Sequence, residues 1–543
     1  MKNNKIYSVT EYSFVESMKD FEASELITIN QAANLLHVHP ETLRRWDSSG
    51  ELKAIRVKDR GHRRYSLKDI EKLINTIKSQ SLPTYAQEQL LSNLEGKYHY
   101  EVNSFPTENI PIGVTYTFNK QIAKKVSNWS HGLHIYPAKF IPQIPKWAFD
   151  FAKLKKRDVI LDPFCGCGTT LVEAIGNGYN AYGIDINPLA QLITNAKTTM
   201  LYSNSFFELE EDLDKLTNEI KEIVKNYELN AEDKLNLHPN WEFWFPKKVM
   251  TQLLAIKQGI KFHKILNHKS TKIDIVNLRN FYLANLSSII KKCSYFNEGE
   301  IKVRKDKNKH EDNIPNPVTT FYKAVKKNLS GIIELSKDLI KKGKHWSKVI
   351  GKNAQTIELA ECSVNLIITS PPYLNAIDYA MAHKYSLFIL NLVSPDNFKN
   401  HCREYIGVTE RAVRKIEYSD IQLTNYDFVD NFITKFKDSK SVVDKIRAYI
   451  ISEYFLDMKK ALQEGFRVLK PNSYFIIVVG DNVIRKELVQ TSKFIQNIAT
   501  SKDVGFELVS YFYHQLRNIR LKVNRNNTGG LIKRERVIIL KKP

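Results

Sequence analysis

The stretch Asp158–Asp185 constrains the fold more than any other. From Asp158 to Thr170 it reads Asp-Val-Ile-Leu-Asp-Pro-Phe-Cys-Gly-Cys-Gly-Thr-Thr. Leu171–Gly176 then opens a helix, and Asn180–Asp185 makes a second strand ending in a carboxylate. Strand, Gly-x-Gly turn, helix, strand and acid form a βαβ unit that binds a nucleoside at the carboxyl edge of a parallel sheet. Asp185 follows Asp162 by 23 residues, close to the spacing of a ribose-binding acid. Gly166 and Gly168 let the backbone approach a ligand closely. No Gly-Lys-Ser/Thr follows, which argues against a phosphate-gripping loop. Leu171 stands where a dinucleotide fold would place its third glycine. The ligand expected is a nucleoside without pyrophosphate, and S-adenosylmethionine fits. Asp162, Phe164, Gly166 and Gly168 would border it, with Asp185 on the ribose.

A second stretch closes a different strand. Val364–Tyr373 reads Val-Asn-Leu-Ile-Ile-Thr-Ser-Pro-Pro-Tyr, and five of its first seven residues are apolar or β-branched. That is the mark of a buried parallel strand. Two prolines end it, because neither can donate to a ladder. Ser370, Pro371, Pro372 and Tyr373 therefore stand at a strand's carboxyl end, where open α/β sheets hold ligands. A turn without proline N–H groups offers mainly acceptors. The Ser370 hydroxyl and the Pro371 carbonyl suit the two hydrogens of an exocyclic amino group. Gripping them localises a lone pair that is otherwise delocalised into the base. The flat face of Tyr373 suits a base taken out of the duplex.

Together the two stretches resemble the amino-methylating DNA methyltransferases. Asp-Pro-Phe-x-Gly-x-Gly-Thr-Thr is similar to that family's cofactor motif, and Ser-Pro-Pro-Tyr to its catalytic motif in the form typical of cytosine-N4 enzymes. Adenine-N6 members more often carry Asp or Asn at the Ser370 position. The resemblance covers roughly residues 130–200 and 348–540. It implies an α/β fold with a Rossmann-like methyltransferase sheet, S-adenosylmethionine as cofactor and double-stranded DNA as substrate. It leaves open a cognate restriction endonuclease encoded separately. It also places Tyr136, Pro137, Lys139 and Phe140, from the aromatic run Ser130–Phe140, over the methionine end of the cofactor. Family members commonly show Gly-Asp-Ala before the catalytic strand. Here Gly351-Lys352-Asn353-Ala354 stands instead, and the Asn353 amide oxygen can still accept from the adenine.

The chain has 543 residues, enough for several domains, and 43% are hydrophobic. Lys and Arg number 81 against 59 acids, a formal net charge of +22 that favours a polyanion. Five cysteines are present, and Cys165 and Cys167 are too close for a Cys-x-x-Cys knuckle. A reduced, cytoplasmic, DNA-associated chain without structural metal is expected. The first residues lack a signal peptide's apolar core, and no run reaches the ~18 apolar residues of a membrane span.

Along the chain, residues 1–24 read as a loose lead. Residues 25–75 form a module with a helix at Thr28–His37, a second at His39–Trp46 and a basic hairpin at Arg56–Tyr65. This resembles the winged helix-turn-helix of the MerR and excisionase class. Thr42, Arg44 and Arg45 would then face the major groove, with Arg63 and Arg64 on phosphates. Residues 76–125 read as a linker, 126–200 as the cofactor half and 346–543 as the catalytic half. Between the halves, residues 201–345 form a helical, basic insertion assigned to target recognition. Its run Lys302–His310 offers Lys302, Arg304 and Lys305 to phosphates. Residues 400–440 read as a second DNA-contacting loop. Leu374–Val393 is helical, and its His383 is given a structural or DNA-positioning role rather than that of a base. The activity expected is methylation of the exocyclic nitrogen of a flipped base, cytosine N4 first and adenine N6 second. An RNA base methyltransferase and a cofactor-sensing DNA-binding regulator are the remaining alternatives. The whole reading requires both turns to open onto one cleft.

Overall fold

The computed structural model describes residues 26–29, 32–33, 40–50, 52–56, 63–66, 68–70, 99–124, 129–137, 139, 141–199, 206–264, 272–301, 303–343, 345–374, 377–407, 413, 421–485, 487–516 and 532–543. They fall into two compact units, one within residues 1–99 and 109–115, the other within 100–108 and 116–543.

In the first unit, β1 (Leu26–Thr28), β2 (Ile55–Arg56) and β3 (Arg63–Ser66) form an antiparallel sheet in the order β1-β3-β2. A helix spans Pro40–Ser49, with proline at its first position as its fixed φ favours. Ile27, Ala32, Ala33, Leu43, Leu52, Tyr65 and Ile70 form one small core. Tyr65 donates its hydroxyl to the Leu43 carbonyl at 3.0 Å. Thr28, read as the start of a helix, belongs instead to β1, where Leu-Ile-Thr pairs with the hairpin.

In the second unit, nine strands form one sheet. They are β4 (His99–Val102), β5 (Thr115–Phe118), β6 (Val159–Asp162), β7 (Asn180–Ile184), β8 (Ser347–Gly351), β9 (Val364–Thr369), β10 (Leu469–Val479), β13 (Glu507–Gln515) and β14 (Arg534–Lys541). A small hairpin, β11 (Asn482–Ile484) and β12 (Glu487–Val489), stands apart. The sheet order is β4-β5-β13-β14-β10-β9-β6-β7-β8. From β10 to β8 the neighbours are parallel, whereas β14 runs antiparallel to both β10 and β13. β13 and β14, the last two strands among the described residues, thus form an antiparallel pair. Residues 76–125, read as a linker, supply β4 and β5 instead. Their signal was masked because polar and proline residues flank two strands of four.

The chain leaves β6 toward β7 and β8, then returns to place β9 on the other side of β6. That reversal opens a crevice beyond the carboxyl ends of β6 and β9. Leu366, Ile367 and Ile368 have no exposed surface, as a strand covered on both faces requires.

The insertion is helical, with helices at Phe206–Lys225, Lys247–Phe262, Lys272–Ile290 and Pro317–Lys342. It is not a separate lobe. Leu213, Leu253, Phe281 and Phe321 share one apolar core with Leu189 and Ile193 of helix Pro188–Thr198 and with Leu387 of helix Tyr379–Ile389. Residues 427–437, read as part of a loop, are a helix whose Val429, Ile433 and Phe436 are buried in the same core as Ile446, Ile450 and Tyr454 of helix Val442–Val468. Among the described residues no helix is long and apolar enough to cross a membrane.

Candidate active site

Two strand ends and a carboxylate build the site. β6 and β9 lie in register, Ile160 beside Leu366 and Leu161 beside Ile367. Asp162 ends β6 with 2% of its surface exposed. Its Oδ2 accepts from the Thr170 hydroxyl at 2.6 Å, and its Oδ1 from the Thr369 hydroxyl at 2.6 Å and the Phe164 amide at 3.2 Å. One side chain thus fastens the cofactor turn to the last residue of the catalytic strand. Burial raises its pKa to about 6, against the pull of those hydrogen bonds.

The turn after β6 needs its glycines. Gly166 and Gly168 have φ of +50° and +77°, the left-handed region. A methyl on Gly168 would lie 2.8 Å from Thr194 Cγ2. Thr194 itself donates to the Gly166 carbonyl at 2.9 Å. Asp185, just past β7, accepts from Gly166 N at 2.8 Å and from Asn187 N at 2.9 Å, one bond to each oxygen. A carboxylate oxygen has two lone pairs, so each retains one for a vicinal diol. Burial raises the Asp185 pKa to about 6 as well.

Over this floor lies the strap Ser130–Pro137. Ser130 donates to the Lys197 carbonyl at 2.7 Å, and buried His131 meets buried Glu173 at 2.7 Å. Burial lowers the His131 pKa despite that carboxylate. Tyr136 stacks on His383 at 4.8 Å between ring centres and 17° between planes, with Tyr379 parallel to it at 6.1 Å. Burial, with a smaller push from Lys291, lowers the His383 pKa to about 4, so it is neutral at physiological pH. It is a stacking partner of the strap and not a ready base.

These parts line one cleft. Of the residues singled out in the sequence, Tyr136, Lys139, Asp162, Phe164, Gly166, Asp185, Asn353, Ser370 and Pro372 all line it. Lys139 donates to the His131 carbonyl at 3.3 Å, and Asn353 Oδ1 accepts from Gln355 N at 2.9 Å, leaving a lone pair. Gly168 shapes the turn without lining the cleft, and Pro371 is buried. Tyr373 is half-buried and is not among the residues lining the cleft; its hydroxyl donates to Glu535 Oε1 at 2.5 Å. Phe140 lies outside the described residues. Tyr379, Glu404, Tyr405 and Ile406 also line the cleft. Tyr379 was visible only as one aromatic in a helix, and Glu404–Ile406 carry no motif.

The expected DNA contacts are scattered. Arg44 is exposed and Arg64 partly so. The side chains of Thr42 and Arg45, and all of Lys302, lie outside the described ones. Arg63 is not free for a phosphate: its Nε holds Asp47 Oδ2 at 2.6 Å, and Arg56 reaches the same oxygen at 3.2 Å. A hydrogen bond from the Ala54 backbone N–H and the Arg63 hydrogen bond hold the Asp47 carboxyl below its usual range. The hairpin charge is thus partly used to fasten the wing to the helix. In the insertion, Arg304 pairs with Glu300 at 3.2 Å but stays 70% exposed. Lys305 lies over the rings of Phe243 at 4.6 Å and Tyr295 at 4.4 Å.

Comparison with known proteins agrees with this geometry. A family described as DNA methylase matches residues 84–195, and one described as a helix-turn-helix domain matches residues 26–77. The first match begins well inside the stretch read as a linker. The chain is 27% identical to the Type II methyltransferase M.MvaI of Kocuria varians over 74% of its own length and 87% of that protein. It is 23% identical to the Type II methyltransferase M.BsoBI of Geobacillus stearothermophilus, over 83% and 91%. It is 24% identical to the Type II methyltransferase M.MjaII of Methanocaldococcus jannaschii, over 67% and 74%.

Proposed function

We propose that this chain, an amino-group DNA methyltransferase by its methylase and helix-turn-helix domains, methylates the exocyclic N4 of a flipped cytosine. The observation that carries the proposal is the single cleft onto which the Gly166 turn and the Ser370 corner both open. S-adenosylmethionine, when bound, supplies an electrophilic methyl group. The residues present fit it: Asp185 keeps acceptor capacity for a ribose, the glycine turn admits close approach, and Asn353 retains an acceptor near the opposite wall.

Ser370 and the Pro371 carbonyl accept the two amino hydrogens of the target and so turn its lone pair toward the donor. The Tyr373 ring stacks on the extruded base. No strong base is required, since the methylated ammonium is acidic and releases its proton to water. Most of the acceleration comes from holding nucleophile and electrophile in line. Serine rather than Asp or Asn at position 370 supports cytosine N4 over adenine N6. Arg44, Arg64 and Arg304 engage phosphates, and the insertion 201–345 reads the target. The net charge of +22 supports a DNA partner. The relatives' Type II designation supports a separately encoded cognate endonuclease.

The test is incubation of genomic DNA with the chain and tritiated S-adenosylmethionine, followed by nuclease digestion and mass spectrometry. N4-methylcytosine is expected. N6-methyladenine would overturn the base assignment, and no incorporation would overturn the enzyme.

A further inference from the structure

One buried charge in the cofactor half has nothing in the protein to balance it. Lys197 stands in the last turn of helix Pro188–Thr198 and has no exposed surface. Its Nζ is buried with no hydrogen-bond partner among the described residues. An ammonium taken out of water is costly unless hydrogen bonds or a counter-ion offset the loss, and fully buried lysines are almost always paired. Burial lowers the Lys197 pKa, and the Cys167 thiol, a weak acceptor, offsets part of that without forming a hydrogen bond.

The helix ties that lysine to the cofactor turn. Thr194 donates to the Gly166 carbonyl at 2.9 Å, and a methyl on Gly168 would lie 2.8 Å from its Cγ2. Lys197 follows Thr194 by three residues, so the two share a helix face. Long helical side chains lean back toward the N-terminus, over that neighbour. Cys167, which lines the cleft, is packed in one apolar cluster with Ile193 and Ala196 of the same helix. The strap runs along this helix as well. Asn187, its N-cap, donates to Tyr136 Oη at 3.4 Å, and at the other end Ser130 donates to the Lys197 carbonyl at 2.7 Å.

We infer that Lys197 is a cofactor-binding residue, whose ammonium receives the carboxylate of the cofactor's methionine moiety. That carboxylate is the only anionic group of S-adenosylmethionine. With the ribose on Asp185, just before the helix, a cofactor that passes the Gly166–Gly168 turn carries its methionine end along the helix, beside Cys167 and Thr169, which both line the cleft. Lys197 is not itself among the lining residues. Its flexible four-carbon stem turns the ammonium toward the incoming carboxylate. Lys139 lines the same cleft, but it is exposed, and an ion pair screened by water contributes little. A dry, unbalanced ammonium gains far more from one anion, because the local dielectric is low.

This inference rests on the cofactor and not on which base is methylated, so its test reads binding rather than turnover. The full chain is titrated in a calorimeter with S-adenosylhomocysteine and with S-adenosyl-3-thiopropylamine, which keeps the nucleoside, thioether and amine but lacks the carboxylate. The wild type should prefer the first about tenfold or more, as a hydrogen bond to a charged group implies. Lys197→Met should erase that preference while affinity for the carboxylate-free ligand stays within twofold. Its thermal midpoint without ligand should be no lower than that of the wild type, because the variant removes an unbalanced buried charge. Equal wild-type affinity for the two ligands overturns the inference and needs no variant. So does a preference that survives Lys197→Met, or one that Lys139→Met abolishes while Lys197→Met does not. A Lys197→Met chain that fails to fold, or melts well below the wild type, also overturns it, since the ammonium then serves the protein's own packing. A wild type that binds neither ligand overturns the cofactor reading and this inference with it.

Discussion

Asp185 offers a sharp test of the cofactor floor, because its ionisation should govern affinity within an accessible pH range. Burial raises its pKa to about 6, while the Gly166 and Asn187 amides pull the other way. Only the ionised form accepts freely from two ribose hydroxyls. At pH 5, a group with that pKa is ionised in about a tenth of the molecules, so the apparent Kd should be about tenfold weaker than at pH 7, about 1.4 kcal/mol. Hydrogen bonds to a charged group contribute about 1.5–3 kcal/mol each. Asp185→Asn should therefore weaken binding about tenfold to a hundredfold at pH 7 and flatten the pH dependence below it. The assay is calorimetric titration with S-adenosylhomocysteine, which keeps the ribose but cannot react. The window is pH 5 to 7, below the ordinary titration of its amino group at about 8. Asp162 also titrates near 6, but both its oxygens are held by threonine hydroxyls. Asp162→Asn should thus keep the pH slope. A wild-type Kd that is flat from pH 5 to 7, or an Asp185→Asn variant with the same slope, would refute the reasoning.

Four further outcomes are expected. Between about pH 4 and 6 the folded chain retains protons on Asp162 and Asp185 that the unfolded chain has released, so stability without cofactor should fall as pH rises through that window; urea midpoints at pH 4.5 and 6.5 check the sign. Gly168→Ala puts a side chain at φ +77° and a methyl 2.8 Å from Thr194. The left-handed conformation alone costs about 1–2 kcal/mol, so S-adenosylhomocysteine affinity should drop about tenfold or more. Tyr373→Ala should sharply lower methyl transfer while cofactor binding survives, and an unchanged rate in a tritiated-methyl assay would refute the stacking role. Arg64→Ala should reduce the salt dependence of DNA binding, whereas Arg63→Ala, by freeing Asp47, should lower the thermal midpoint of the N-terminal unit.

The sequence disclosed the site better than its surroundings, and the reason is physical. A parallel strand covered on both faces must be an apolar run, and a turn that admits a ligand must carry glycine or proline at set places. Both constraints act over ten residues, so Val159–Gly168 and Val364–Tyr373 could be read directly. Periodicity likewise marked the helices of the insertion, but it cannot say against what an apolar face packs. The insertion therefore read only as a helical, basic block for target recognition, with no sign that Phe281 and Phe321 are buried in one core with Ile193, a few residues beyond Asp185. β4 and β5 were missed because strands of four residues between prolines carry almost no period. The wing arginines read as phosphate ligands because a charge gives no sign of its partner, and Arg63 has one in Asp47.

Polar contacts between distant residues are the least legible of all, yet they hold the site together. Asp162 meets Thr369 across 207 positions, Tyr373 meets Glu535 across 162, and Trp129 meets Asp338 across 209. Each pairs residues whose local surroundings would be equally comfortable facing water. A hydrophobic residue announces burial by its own chemistry, whereas a buried carboxylate is explained only by the donors that the fold brings to it. For that reason the cofactor and catalytic motifs were each visible as sequence, while the Asp162 carboxylate that joins β6 to β9 had the look of a simple cofactor-lining acid. The site is one object because of that bond, and Thr369→Val, which removes the donor at nearly constant volume, should lower kcat more than it weakens cofactor binding. Equal losses in both would place Thr369 in the general packing of β9 instead.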